Sequence, residues 1–562
     1  MNKSVAIIDV FLCGFLAMAF TSSMQYLKTG DCLIDGVYTV SAIALFVLFI
    51  GINCILRKGI INSYEVNLDT SSMVTGSISK FFDSKWSILK IGLLIFICWL
   101  PVLIALYPGT FINDTWGQVQ QFMAFTEGGS LHRHVMSDHH PFMDTLIIGS
   151  VIVPVAKITG AWHVAIFIYV VIQSFVTSLV FGYSLEYVYK KLDIGKTLTI
   201  GLTLFYCIMP VYAASVQTVS KDALFSWIYV LFFVFFLEIA RTGGDALKNK
   251  KFISEFLIII LFCIATKKVG FYVILLSLIA AWAECKLNRR KLLHCILIAL
   301  CIMVVIMPGT RKIFGIGSGG IQEMLSIPFQ QTARYVKIHP DDIRPDERIV
   351  IDKVLGFDDL ATRYDPIMAD PVKGYSQRGH KQDYLLYIKI WVAQGIRHPA
   401  TYVDAFNAMV SGWFSFYEYN PLMNMDWHNQ LDPKRIPAWV PVRNDFSKWT
   451  ADIYQKSYDT MYAMPPLAIF LCYGFYASLI PSFLLGTVLR KRKSGRIKYW
   501  LPIIPVIGSL ALGCWLAPAS VHFEGRRYLY PIVYTTPLII AWALFIYRSE
   551  FKIRKSNEKE EI

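Results

Sequence analysis

The stretch from Tyr107-Pro-Gly-Thr-Phe-Ile-Asn-Asp114 to Asp138-His-His-Pro141 lies between two apolar runs, Trp86 to Tyr107 and His163 to Val188. Each run exceeds the ~20 residues that an α-helix needs to cross a bilayer. The stretch therefore sets a carboxylate and a histidine cluster at a membrane surface. Soluble metabolites rarely need chemistry there, whereas lipid-linked substrates do.

Working outward from this loop, apolar runs also occur at Val5 to Leu27, Leu33 to Leu56, Leu198 to Ala214, Ala223 to Ala240, Phe252 to Thr266, Gly270 to Ala283, Leu292 to Met307, Met464 to Leu489, Trp500 to Leu516 and Leu529 to Tyr547. With 55% hydrophobic residues in 562 and a mean hydropathy of +0.47, a soluble fold is excluded. The pattern predicts an all-α polytopic membrane protein of about 12 transmembrane helices. It further predicts an outer catalytic loop with an interfacial helix and a large extracytoplasmic domain mixing helix and loop.

The expected organisation is a two-helix membrane module (1–56), a cytoplasmic linker (57–85), a membrane core (86–307) with its outer loop at 108–162, an extracytoplasmic domain (308–463), and three closing spans with a cytoplasmic tail (464–562). Lys and Arg concentrate in cytoplasmic loops. The basic stretches around Arg57, Lys190, Lys248, Arg289 and Arg490 to Lys498 all fall inside together if only one span separates Asp114 from Lys190. Phe142 to Thr159 must then lie along, or re-enter, the outer surface. The first run follows Lys3 and has no small-residue cleavage site after it, as in an uncleaved signal anchor. Both termini are expected in the cytoplasm.

A net charge of +14 is of the kind nucleic-acid binders carry, but residues 308–463 hold 18 Lys+Arg and 18 Asp+Glu, so the excess belongs to the membrane region and its inner loops. The charge reports topology, and no nucleic acid is implied. None of the 11 cysteines falls within 308–463, so no disulfide framework is expected. Gly315 to Gly320 lacks the Lys-Ser/Thr of a phosphate loop and reads as a flexible exit from a span. The apolar spacing from Gln382 to Ala393 predicts a helix, and Tyr417 to Val442 reads as irregular.

Asp114 stands seven residues past its span, within reach of an interfacial lipid phosphate. A carboxylate there can take a proton from an incoming hydroxyl, or simply cap the helix that starts near Trp116. His132, His134, His139 and His140 place four of the 11 histidines within nine positions. Their spacing matches no familiar zinc pattern, so contact with substrate or water competes with metal binding. Pro141 can open the following helix. Before the last span, His522-Phe-Glu-Gly-Arg526-Arg527-Tyr528 offers guanidinium forks suited to phosphate oxygens, or anchors at the interface. Lys221 and the pair Lys267-Lys268 are cations in short outer turns, against the positive-inside trend. An adjacent lipid phosphate would account for them, and for Lys221 so would simple pairing with a carboxylate.

The order of a span, Tyr-Pro-Gly with Asp114, Asp138-His-His140-Pro141 heading an interfacial helix, and another span resembles the GT-C superfamily of polyprenyl-phosphate-sugar-dependent glycosyltransferases. The likeness covers about Trp86 to Lys191 and is closest to multi-pass proteins of Gram-positive bacteria. The chain departs from the superfamily in carrying one acidic residue, Asp114, where many members have a pair, and His140-Pro141-Phe142 where many have two prolines.

The resemblance implies an inverting transferase in the bacterial plasma membrane, its active site facing outward. It would move a sugar from a polyprenyl phosphate to an extracytoplasmic glycan, lipid or protein. Asp114 would be the catalytic base; Arg526, Arg527, Tyr528 and Lys221 would hold the donor phosphate; His139 and His140 would contact substrate. No metal ligand is assigned, although a divalent metal is compatible with the reading. Trp413, Tyr417, Tyr419, Trp427 and Trp439 would stack on sugar or fill the outer domain's core. Two rival classes share the architecture: a polysaccharide polymerase or ligase using a lipid diphosphate, and a lipid-linked sugar transporter or flippase. The few charges within the runs, Asp9, Asp35, Glu186, Glu238 and Glu255, speak against transport.

Overall fold

The Tyr107 to Asp114 segment is held by a contact that the apolar pattern does not announce. Thr110–Phe111 (β1) pairs in parallel with Thr218–Val219 (β2), with Thr110 opposite Thr218 and Phe111 opposite Val219. Each strand runs straight into a helix, Asn113–Glu127 after β1 and Lys221–Thr242 after β2. The register therefore brings the first turns of two helices, more than 100 residues apart in sequence, side by side.

The pairing is reinforced by side chains. Gln217 accepts from the Thr110 backbone N–H at 2.6 Å and donates to Thr110 Oγ1 at 2.8 Å. Gln173 donates to the carbonyls of Val216 and Thr218. Gly109 adopts φ +115°, and a Cβ there would sit 2.6 Å from Val170 Cγ2, so only glycine fits the turn into β1.

The structure, a computed structural model, describes residues 3–32, 34–66, 81–127, 137–317, 319, 324–375, 379–416, 445–490, 497–516 and 525–560. Among these, eight helices are long and apolar enough to cross a membrane, from Ile7–Thr29 to Arg527–Ser549. Two bent pairs bring the number to ten if each is one span: Lys196–Ile208 with Pro210–Val216 at 53°, and Pro465–Leu471 with Phe475–Arg490 at 71°. Pro210 explains the first break, since its ring removes a backbone donor and clashes with the preceding turn. The protein is an all-α polytopic membrane protein. A total of twelve requires two of the helices Lys250–Thr266, Lys268–Glu284 and the shorter Ile503–Trp515 to cross as well, or all three if Phe142–Thr159 does not. Phe142–Thr159, expected at the interface, is an 18-residue helix that meets the length and composition needed to cross.

Lys221–Thr242 and Arg527–Ser549 are almost enclosed, whereas Gly36–Gly59 is nearly bare on every side. The middle of the helix array is therefore built on the two helices whose N-terminal ends carry Lys221 and Arg527. The Asn113–Glu127 and Phe142–Thr159 helices touch at Gly149, where a Cβ would lie 2.2 Å from the Phe122 ring. That approach seats the Asp114 helix against the one that His140-Pro141 introduces.

Residues 324–375 and 379–397 include helices that share a separate core of Phe329, Val336, Ile351, Leu355, Tyr384 and Tyr387. The helix expected over 382–393 spans Lys381–Arg397. Gly317 is not a loose exit: its carbonyl accepts from Asp138 N–H at 2.7 Å, and Phe314 stacks on Phe142. The first helix is likewise fastened to the rest of the chain. Asp9 pairs with Arg57 at 2.8 Å and with Arg490, and Phe20 packs on Phe49, Phe414 and Phe416.

Candidate functional site

Asp114 lies in the first turn of its helix, where the positive end of the macrodipole favours a carboxylate. It does not cap the helix. Its Oδ2 receives Arg527 Nη1 at 2.7 Å and Lys221 Nζ at 3.1 Å. Lys221 opens the neighbouring helix behind the Ser220 cap, whose Oγ accepts from Ala223 N–H. A cation at that helix end is opposed by the macrodipole, and Asp114 supplies the compensating charge.

His140 completes the group. Lys221 Nζ stands 2.7 Å from His140 Nδ1. Burial first, and then the charge of Lys221, push the imidazole down to about 3, so at neutral pH His140 is uncharged and accepts the lysine proton at Nδ1. Its 4.0 Å approach to Asp114 Oδ2 is then dipolar rather than a salt bridge. Burial would raise the Asp114 carboxyl, but Lys221 and Arg527 outweigh it and hold the group well below the usual carboxylate range.

A second carboxylate backs the first. Asp222 is fully buried; Lys267 Nζ lies 2.6 Å from its Oδ1 and Arg527 Nε 3.6 Å from its Oδ2. Lys267 also sits over the rings of Phe225 and Tyr528, 5.4 and 5.5 Å from their centroids. Three cations, Lys221, Lys267 and Arg527, thus meet two carboxylates, Asp114 and Asp222. The surplus positive charge suits a phosphate.

Of the residues singled out in the sequence, Asp114, His140, Lys221 and Arg527 converge, with Tyr528 next to them. His139 is exposed, its ring against His140 at 4.5 Å. The Arg526 side chain lies outside the described residues, as do His132, His134, His522, Tyr417, Tyr419, Trp427 and Trp439. Trp413 is fully buried and donates to the Cys514 carbonyl at 3.2 Å, so it belongs to the core and offers no sugar platform.

Sequence reasoning missed Asp222 as a partner and gave Lys267 no counter-ion. The Ser220-Lys-Asp222 helix start was the available signal, since a capped helix with an acid at its second position places that acid beside whatever faces the helix end. Asp138 takes a separate role: Lys268 and Arg311 pair with its Oδ2 at 3.0 and 3.1 Å, and Lys268 also donates to its carbonyl. Among the described residues no three His, Cys, Asp or Glu side chains are arranged to hold a metal ion. In this arrangement the Asp114 carboxylate is occupied by Lys221 and Arg527.

An array of long apolar helices with an ion-paired cluster at the N-terminal ends of its two most enclosed helices defines a class of polytopic membrane protein. The chain belongs to the family of unknown function DUF6020, whose pattern matches residues 19–560. No curated protein and no solved structure matches it.

Proposed function

We propose that the protein is an inverting glycosyltransferase that moves one sugar from a polyprenyl phosphate to an extracytoplasmic glycan, lipid or protein. The observation that carries this reading is the sharing of Asp114 Oδ2 between Arg527 and Lys221. A base and the cations for a phosphate leaving group stand within one cluster, and displacement at an anomeric carbon uses both kinds of group.

The contact also suggests an order of events. With both cations on it, Asp114 is a poor base. A donor phosphate competes for Arg527, which can bind its oxygens through two parallel N–H groups, and for Lys221. As those cations turn to the phosphate, the Asp114 carboxylate loses its counter-charges and gains basicity. It then takes the proton of the acceptor hydroxyl while that oxygen attacks the anomeric carbon from the face opposite the phosphate. The bond from that carbon to the phosphate oxygen breaks, its electron pair leaves with the phosphate, and the configuration inverts. Arg527, Lys221 and Lys267 hold the charge that develops there. His140, neutral, keeps Lys221 in position.

This function needs the cluster at the outer surface of a cell membrane, with the basic loops inside and Phe142–Thr159 not crossing. A cysteine placed at Lys190 should then resist an impermeant thiol reagent on intact cells; labelling there would overturn the orientation. A transporter reading is weakened because most charges within the apolar helices are paired, Asp9 with Arg57, Glu186 with Lys190, Glu238 with Arg241 and Glu255 with Lys251; the exception is Asp144, buried in Phe142–Thr159 with both carboxyl oxygens unpartnered. The polymerase reading retains one supporting feature, the second cation pair Lys268 and Arg311, which could meet a second phosphate.

The test is to incubate the purified protein with a polyprenyl-phosphate sugar and membrane extracts, and to measure free polyprenyl phosphate together with the glycosylated product. Release of polyprenyl phosphate matched by inverted product is expected. Turnover of polyprenyl diphosphate donors alone would move the protein to the polymerase class.

A further inference from the structure

The first helix, Lys3–Thr29, lies outside the segment that resembles known transferases, yet it walls a cavity of about 610 Å³. That volume falls within the ~300–1,000 Å³ of pockets that hold small ligands. Phe15, Met18 and Ala19 form one side; Phe406, Val410 and Trp515 lie across from them.

Three hydroxyls of the wall are spent on backbone. Ser22 Oγ donates to the Cys32 carbonyl at 2.6 Å, Ser23 Oγ to that of Ser411 at 2.7 Å, and Ser411 Oγ to that of Ala408 at 2.9 Å. The cavity thus presents mainly hydrocarbon and offers little to a polar metabolite. Its rim opens sideways from the first helix, where Phe15 and Met18 are 55% and 62% exposed. In a membrane helix that side faces lipid.

The opposite wall leads to the cation cluster. Trp515 adjoins Cys514, whose carbonyl accepts the Trp413 indole N–H and whose thiol lies within electrostatic reach of Lys267. One residue further back, a Cβ on Gly513 would stand 3.6 Å from the Tyr528 carbonyl oxygen, next to Arg527. One short segment therefore borders both the apolar cavity and the cations.

We infer that this cavity holds the hydrocarbon chain of the polyprenyl phosphate whose headgroup meets Arg527, Lys221 and Lys267, so that the first helix is part of the donor site. The inference rests on the phosphate-binding reading of the cluster. An anionic head at the cations and an apolar chain in the cavity match the charge and polarity of the two ends of one molecule. The chain leaves the headgroup past Trp515 and runs towards Phe15 and Met18, where the cavity meets lipid.

The test is equilibrium binding of undecaprenyl phosphate and of the short-chain geranyl phosphate to the full-length protein in detergent, comparing wild type with Ala19→Phe, which puts a phenyl ring into the cavity. Wild type should prefer the long chain by roughly tenfold or more. Ala19→Phe should bind geranyl phosphate like wild type and lose that preference. An Ala19→Phe protein that binds geranyl phosphate normally and keeps the full preference would overturn the cavity assignment and leave the phosphate site standing, as would a wild type that binds both lipids equally. A wild type that binds neither lipid would remove both readings.

Should Ala19→Phe bind neither lipid through loss of folding, a photoreactive group midway along the chain decides the matter in wild type. Crosslinks within residues 15–23 or 406–414 support the assignment, and crosslinks confined to other segments overturn it.

Discussion

Arg527 Nη1 lies 2.7 Å from Asp114 Oδ2, across a sequence separation of 413 residues. The pair joins the start of the last long helix to the first turn of the Asn113–Glu127 helix, and Lys221 reaches the same carboxylate oxygen from a third element. A contact that serves stability alone would leave the two cations committed to Asp114. A contact that serves transfer must let them go when a stronger anion arrives, and a phosphate is one.

Arg527→Lys separates these two roles. Lysine keeps the charge but not the planar fork, so a bidentate phosphate contact is lost while the ion pair with Asp114 survives in weakened form. The expected result is a protein that inserts and purifies normally and binds the donor about 10–100-fold more weakly, the worth of a charge-assisted hydrogen bond. Unchanged donor affinity in this variant would reduce Arg527 to a structural partner.

How much of this was legible in the sequence follows from range. The apolar runs are local signals, and most of the long helices fall where those runs lie. Asp114, His140, Lys221 and Arg527 could each be picked out because a polar group beside a membrane span is conspicuous against its apolar surroundings. Their assembly could not be read, because it depends on the β1–β2 register, and two-residue strands carry no periodicity. Asp222 escaped because an acid in the first turn of a helix has an ordinary explanation in the macrodipole. The buried place of Trp413 was equally hidden: aromatic residues look alike in sequence whether they line a surface or fill a core.

The Asp222–Lys267 pair should behave as a buried ion pair. Removing one partner strands the other charge, which typically costs about 3–5 kcal/mol, while replacing both often costs far less. Lys267→Met and Asp222→Asn are each expected to destabilise the protein strongly in detergent, and the double variant less than the sum of the two. Additive losses in a double-mutant cycle would show that the two side chains act independently.

His140 gives the fold a dependence on pH with a definite sign. Its folded value is about 3, against an unfolded value near 6.5, so the unfolded chain takes up a proton in that interval and the folded protein does not. Stability from the neutral imidazole is complete above about 6.5 and declines as pH falls towards 3, by at most ~1.4 kcal/mol per pH unit. The depressed Asp114 carboxyl adds its own loss only below the ordinary carboxylate range of about 4; His339, also depressed, titrates between pH 6.5 and 4.5 as well, so the share of His140 is the difference between wild type and His140→Gln. Thermal unfolding across that window should fall more steeply for wild type than for His140→Gln. Parallel curves would contradict the buried, lysine-facing imidazole.

The central claim is that Asp114 is a base held in check by the same cations that bind the donor, and the most direct measurement is donor affinity and transfer rate side by side for Asp114→Asn. The substitution removes both the proton acceptor and the anion that competes with the donor phosphate for Arg527 and Lys221. The account predicts that this variant binds the polyprenyl-phosphate sugar at least as tightly as wild type, yet transfers it roughly 10²–10⁴-fold more slowly. Transfer at the wild-type rate would contradict the account.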